Sequence, residues 1–225
     1  LAGEKQGALR IFESGALLAE NGIILSVGDE KEVRRHAANL EIHEEVDCRG
    51  MCMVPGFVDP HTHICFAETR ETEFSMRLSG VPYLEILEKG GGILSSVRSL
   101  REMDSANLFE ATKNRVLSAL SLGTTTIEIK TGYGLDMQNE LKMLEVIQRI
   151  RGETPLDVAI TFMGAHAVPS EYKGREDLFV NYLVEEMLPA IAERGIADFC
   201  DVFCEKGVFS IDQSRRILMK ARELG

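Results

Sequence analysis

The chain has 225 residues, a formal net charge of −11, and a composition that is 44% hydrophobic, 27% charged and 6% aromatic. This excludes a disordered chain and leaves room for one sizeable core or two small ones. The acidic balance excludes a nucleic-acid backbone or an anionic membrane surface as partner, because both would repel it. No run approaches the roughly 18 apolar residues of a membrane span and no basic-then-apolar signal segment opens the sequence, so the expected location is the cytoplasm.

Residues 1–53 read as a small β unit. Gly15–Glu20 and Ile23–Val27 are short apolar runs joined by Asn21-Gly22, the pair that a type I′ hairpin favours. Glu30–Ala38 follows as a short helix and Glu41–Asp47 as a further strand, before Arg49-Gly50 turns the chain. His36 and His43 lie in this charged region and read as solvated. The five cysteines, Cys48, Cys52, Cys65, Cys200 and Cys204, are odd in number and form no C-x-x-C pair. Without an export signal they read as reduced, buried small hydrophobes.

From Met53 the pattern changes to strand, loop, helix, repeated. Met53–Val58 reads as a short buried strand, followed by a long connection, Ile64–Leu100, with Gly90-Gly91-Gly92 inside it; such a glycine-bearing connection is often functional. Helical spacing over Asn107–Leu122, stopped by Gly123, leads into a strand over Thr124–Lys130 with Ile127 and Ile129 on one face and Glu128 and Lys130 on the other. A helix over Gln138–Arg151, a strand over Leu156–Met163, a helix over Phe179–Arg194 closed by Gly195, a strand over Ala197–Cys204 and a helix over Ile211–Leu224 complete the series. Four strands separated by helices predict an α/β fold with parallel pairing, either an open sheet or part of a (β/α) barrel.

The notable polar residues each follow a strand: His61 and His63, then Tyr133, then His166, then Glu205. Parallel α/β folds place active sites at those carboxyl ends, so the set predicts one mouth. His61 and His63 are two residues apart, which on a strand aims both rings at one point and makes them candidate metal ligands. A bare His-x-His more often describes an ordinary packed or surface pair. On the residues alone Arg70 reads as a solvated charge in the run Glu68–Glu73, and His166 equally as a packed core histidine. Tyr133, between Gly132 and Gly134, is expected to expose its ring on a tight loop.

The stretch Pro55-Gly56-Phe57-Val58-Asp59-Pro60-His61-Thr62-His63 resembles the first-strand signature of the amidohydrolase superfamily, metal-bearing (β/α)₈ hydrolases of C–N bonds. Within it, Thr131-Gly132-Tyr133-Gly134-Leu135-Asp136, Gly164-Ala165-His166-Ala167-Val168-Pro169 and the run from Asp201 to Phe209 resemble motifs of the imidazolonepropionase family, in that family's order. The resemblance implies a metal-dependent hydrolase that opens the ring of 4-imidazolone-5-propanoate with water, giving N-formimidoyl-L-glutamate in histidine degradation. It implies His61 and His63 as ligands of one zinc or iron ion, and Arg70, Tyr133 and His166 as substrate contacts. An arginine fork suits the propionate, a tyrosine hydroxyl bonds a carboxylate or ring heteroatom, and a histidine can donate to the imidazolone oxygen. The implied partners are the small-molecule substrate and a second copy in a homodimer, not nucleic acid or a membrane.

The same resemblance implies the front half of a (β/α)₈ TIM barrel (54–225) preceded by part of a small β-sandwich domain (1–53). A third histidine, a metal-binding aspartate and the proton-handling acid are then expected beyond Gly225, and the 225-residue chain alone is expected to be inactive. Two alternatives stand beside this: a two-metal cyclic amidohydrolase with a carbamylated Lys206, and a truncated chain with no catalytic role.

Overall fold

The computed structural model describes residues 3–5, 7–82, 85–86 and 91–225. The chain divides into two compact units, Leu1–Val54 and Pro55–Gly225.

In the first unit β1 (Gly15–Glu20) and β2 (Ile23–Asp29) pair antiparallel, with Gly15 opposite Asp29 and Glu20 opposite Ile23. Asn21 and Gly22 both have positive φ, 50° and 78°, the backbone that a type I′ turn requires, so the hairpin forms as the Asn-Gly pair predicts. Asp29 then caps α1 (Glu30–Ala37), its carboxylate accepting from the Lys31 N–H at 3.0 Å. His36 and His43 are exposed, as expected; His36 Nδ1 lies 2.9 Å from Ser26 Oγ. The strand expected over 41–47 does not form. These residues are all exposed, and among the described residues of this unit only β1 and β2 pair.

The second unit is a four-stranded parallel sheet in sequential order: β3 (Phe57–Thr62), β4 (Thr124–Lys130), β5 (Asp157–Ala165) and β6 (Phe199–Val202). Thr126 pairs with Asp157 and Lys130 with Thr161, so β4 and β5 run in register over five residue pairs. Between β3 and β4 lie α2 (Glu71–Leu78), α3 (Ile93–Glu102) and α4 (Ser105–Ser121). The α5 helix (Met137–Glu153) crosses from β4 to β5, and α8 (Ile211–Leu224) follows β6. Gly90 of the glycine run lies outside the described residues.

The connection from β5 to β6 departs from the single helix expected over 179–194. It is α6 (Glu176–Tyr182), a π-helical turn at Leu183–Met187, and α7 (Leu188–Arg194). Pro189 has no N–H to bond the carbonyl four residues back, and the Leu188 N–H reaches Leu183 O instead, the wider i→i+5 spacing.

The core sits between the sheet and its helices. Ile127, Ile129 and Ile160 from the strands meet Val116 of α4 and Leu144 and Ile147 of α5, all fully buried. The expected strand at Met53–Val58 is displaced: β3 begins only at Phe57, whose N–H donates to Gly123 O at 2.8 Å, and it runs through His61. Pro55 lacks a ladder donor, and β3 is an edge strand. Its apolar residues are therefore not buried as the sequence suggests; Phe57 is 56% and Val58 63% exposed. Among the described residues no helix is long and apolar enough to cross a membrane.

Candidate active site

Three successive strands deliver side chains to one cluster at their carboxyl ends. His61 is the last but one residue of β3 and His63 lies just past its end, with ring centroids 5.4 Å apart. Thr62 between them donates its hydroxyl to Glu128 O of β4 at 2.7 Å, which fixes the strand end against its neighbour. His166, one residue after β5, stacks on His63 at 4.4 Å and 11°. Tyr133, from the loop after β4, packs at 5.7 Å from His63 and 5.4 Å from His166. Its ring is half-buried in this contact rather than exposed on the loop as expected, because the two glycines turn it inward over the histidines.

The chemistry of His63 fits a metal ligand. Burial, helped by the neighbouring His166, His61 and Lys130, lowers its pKa to about 4, so the ring is neutral at physiological pH. Its Nδ1 is buried with no hydrogen-bond partner among the described residues, a lone polar atom of the kind that an ion satisfies. Among the described residues no group of three or more histidine, cysteine, aspartate or glutamate side chains is arranged to hold a metal. His61 and His63 thus offer two donors, and a catalytic ion ordinarily takes three from protein.

His166 Nδ1 lies 3.1 Å from Gly132 O. A carbonyl only accepts, so Nδ1 carries the hydrogen, and burial holds the pKa of the ring below its ordinary value. Neutral His166 then keeps a lone pair on Nε2, which accepts a hydrogen bond. The expected donation to an imidazolone oxygen would need the ring protonated.

Arg70 caps the start of α2 and pairs with Glu73 at 3.7 Å. It lines an open cavity with Glu73, Phe74, Arg77 and Ile86, and it is not in ring contact with the histidines. Its charge still reaches the cluster: it acts against protonation of His166, and it eases the upward shift that burial gives the Tyr133 hydroxyl.

Glu205 does not join the mouth. It is exposed and accepts from the Lys206 N–H at 2.8 Å, and Phe203 is the β6 neighbour that meets His166, at 6.1 Å. Lys206 is exposed in the turn after β6.

The lysine that stands behind the cluster is Lys130, whose Nζ bonds Glu128 Oε1 at 2.8 Å and Asp201 Oδ2 at 3.0 Å, with only 5% of its side chain exposed. Burial pulls its pKa down, but the two carboxylates outweigh it and hold the lysine charged. The alternation along Thr124–Lys130 put Glu128 and Lys130 on one face, and that was the available signal for this pair. A further anchor escaped the sequence reading. Arg115 of α4 lies 3.5 Å over the Phe66 ring and donates to Phe66 O at 2.6 Å and Ile64 O at 3.3 Å, clamping the loop between His63 and Arg70.

A sequential parallel sheet with histidines and a tyrosine gathered at the strands' carboxyl ends defines an α/β scaffold of the kind that carries its active site there. Comparison with curated proteins is more specific. The chain is 56% identical over 225 residues to the imidazolonepropionase of Syntrophobacter fumaroxidans, covering 100% of this chain and 53% of that protein. It is 56% identical over 224 residues to that of Desulfotalea psychrophila, covering 100% and 54%, and 45% identical over 223 residues to that of Clostridium tetani, covering 99% and 53%. The chain is thus a homologue of the imidazolonepropionases along its whole sequence, and it spans about half the length of the curated relatives it matches. No family model matches it.

Proposed function

We propose that the protein to which this chain belongs is a metal-dependent hydrolase that opens the ring of 4-imidazolone-5-propanoate with water, giving N-formimidoyl-L-glutamate in the cytoplasm. The observation that carries this reading is the His61–His63–Tyr133–His166 cluster, combined with similarity along the whole of this chain to about half the length of proteins named imidazolonepropionase. In this reading Pro55–Gly225 is the front half of a (β/α)₈ barrel and Leu1–Val54 is part of a small β-sandwich. The sequential strand order β3-β4-β5-β6 supports the first and the exposed apolar faces of the hairpin support the second.

His61 and His63 would hold one zinc or iron ion, and the unpartnered Nδ1 of neutral His63 supports that assignment. When bound, such an ion acidifies water towards neutrality and polarises the carbonyl under attack. The chain's own residues bind and orient. Arg70 offers its guanidinium to the propionate, the Tyr133 hydroxyl bonds a carboxylate or ring heteroatom, and Nε2 of His166 accepts from an imidazolone N–H. Charged Lys130 is held in place by its ion pairs with Glu128 and Asp201. Activity is proposed for the longer protein, since the described residues offer two metal donors and no proton-handling acid among them is assigned.

The test is steady-state hydrolysis of 4-imidazolone-5-propanoate by the protein expressed from its whole gene. The wild type turns it over, and Arg70→Met raises KM by roughly 10–150-fold with a smaller change in kcat, the worth of a charge-assisted pair made equally in ground and transition states. Absence of turnover by the metal-loaded wild type would sink the reading. An unchanged KM in Arg70→Met would remove Arg70 from it.

A further inference from the structure

The loop that carries Tyr133 is wound around a carboxylate that the reading above does not use. Glu140, in the first turns of α5, is fully buried. Its Oε1 accepts from three backbone N–H groups at once, Gly134 at 2.8 Å, Leu135 at 2.9 Å and Gly132 at 3.2 Å, and the Thr131 side chain also favours the charged carboxylate. Taking a carboxylate out of water is strongly unfavourable: burial raises the pKa of Glu140, and the Thr131 side chain and the three backbone donors counter that only in part.

The loop is one the chain would not adopt unaided. Gly132 has φ +109°, and a Cβ there would meet His166 Cβ at 2.7 Å; a Cβ on Gly134 would meet Glu140 N at 2.5 Å. Leu135, a bulky residue, sits at φ 55°. The outward side of the loop is held by Arg101 of α3, whose Nε donates to Gly134 O at 2.9 Å and pairs with Asp136 at 3.0 Å, while its Nη2 bonds Glu171 at 2.9 Å. Gly132 links both sides: its N–H points to Glu140 and its carbonyl takes the Nδ1 hydrogen of His166.

We propose that Glu140 is a positioning residue, holding the 132–135 loop so that Tyr133 and His166 face the substrate in one geometry. This rests on the reading of Tyr133 and His166 as substrate contacts. What matters is the reach of the acceptor oxygen to three N–H groups, more than the negative charge.

A double-mutant cycle between Glu140 and Tyr133, in the protein expressed from its whole gene and assayed on 4-imidazolone-5-propanoate, tests it. Tyr133→Phe alone removes one hydroxyl and lowers kcat/KM by about 2–10-fold. Glu140→Asp keeps the charge but withdraws the carboxylate by one methylene, and should lower kcat/KM by about 10–100-fold, the scale of an ångström-sized misplacement. In that background Tyr133→Phe should have almost no further effect. Glu140→Gln keeps the oxygen at its original reach and should recover most activity, raising KM by only about 2–5-fold. A purely structural Glu140 predicts otherwise: Glu140→Asp lowers the melting temperature, leaves kcat/KM of the folded protein unchanged, and Tyr133→Phe retains its full penalty. That outcome overturns the proposal. Should Glu140→Asp fail to fold, Glu140→Met decides, since it keeps the length and removes the acceptor: a fall in kcat/KM that Tyr133→Phe does not deepen supports the proposal, and an unchanged kcat/KM or a full further penalty from Tyr133→Phe overturns it. A wild type without turnover refutes the proposed function instead, and an active wild type with an additive cycle refutes only this assignment.

Discussion

The two units are built on different principles. Among the described residues of Leu1–Val54 the only buried large apolar side chain is Val33, and Ile23, Ile24, Leu25 and Val27 of the hairpin are all about half exposed or more. Order there comes from local chemistry: an Asn-Gly turn, an aspartate cap, and ion pairs such as Arg34 with Glu30 and Glu45. In Pro55–Gly225 the strands are joined by long helical crossovers, and non-local burial of Ile127, Ile129, Ile160, Leu144 and Phe162 holds them together. The polar cluster sits on the second kind of structure, at the carboxyl ends of strands paired in one parallel sheet. A site that must hold two histidines within an ångström benefits from rigid strands more than from a locally stabilised hairpin.

Thiol chemistry should separate the units most sharply. Cys52 is exposed in the first, whereas Cys65 is fully buried in the second and burial raises its pKa to about 12. At pH 8 Cys65 should react with an aromatic disulfide at least about 10³-fold more slowly than Cys52, since only the thiolate attacks. Comparable rates would mean that the core opens readily and that the contrast is false. Core truncation comes next. Ile160→Ala, in the middle of β5, should destabilise the second unit by about 2–5 kcal/mol in urea denaturation. The smallest effect belongs to Ile24→Ala, 59% exposed on the hairpin, which should stay within about 0.5 kcal/mol. A loss at Ile24 as large as that at Ile160 would show the hairpin face to be covered in solution.

The same contrast explains what could be read from the sequence. Where local chemistry decides, the reading was close: the Asn21-Gly22 hairpin and the helix at Ile211–Leu224, capped by Ser210, both appear. Where a neighbour decides, it failed. Residues 41–47 carry Ile42 and Val46 among four acids and pair with no strand among the described residues, and the apolar run 53–58 yields to an edge strand that starts four residues later. Of the candidate site, His61, His63, Tyr133 and His166 were legible because each follows a strand, and the structure brings their rings together. Glu205 followed the same rule, yet its side chain turns back onto its own backbone. Glu140 was hidden because an acid in a first helical turn usually faces solvent. The signal lay in Gly132 and Gly134, whose tight loop gathers several N–H groups and so demands an acceptor.

The most direct test of the central claim is a crystal structure of the protein expressed from its whole gene, with anomalous scattering collected at the zinc and iron edges. One ion per chain should lie about 2.0–2.2 Å from a ring nitrogen of both His61 and His63, and His63→Ala should abolish it. An ion bound elsewhere, or a metal-loaded crystal in which the His61 and His63 rings stay without one, would contradict the account.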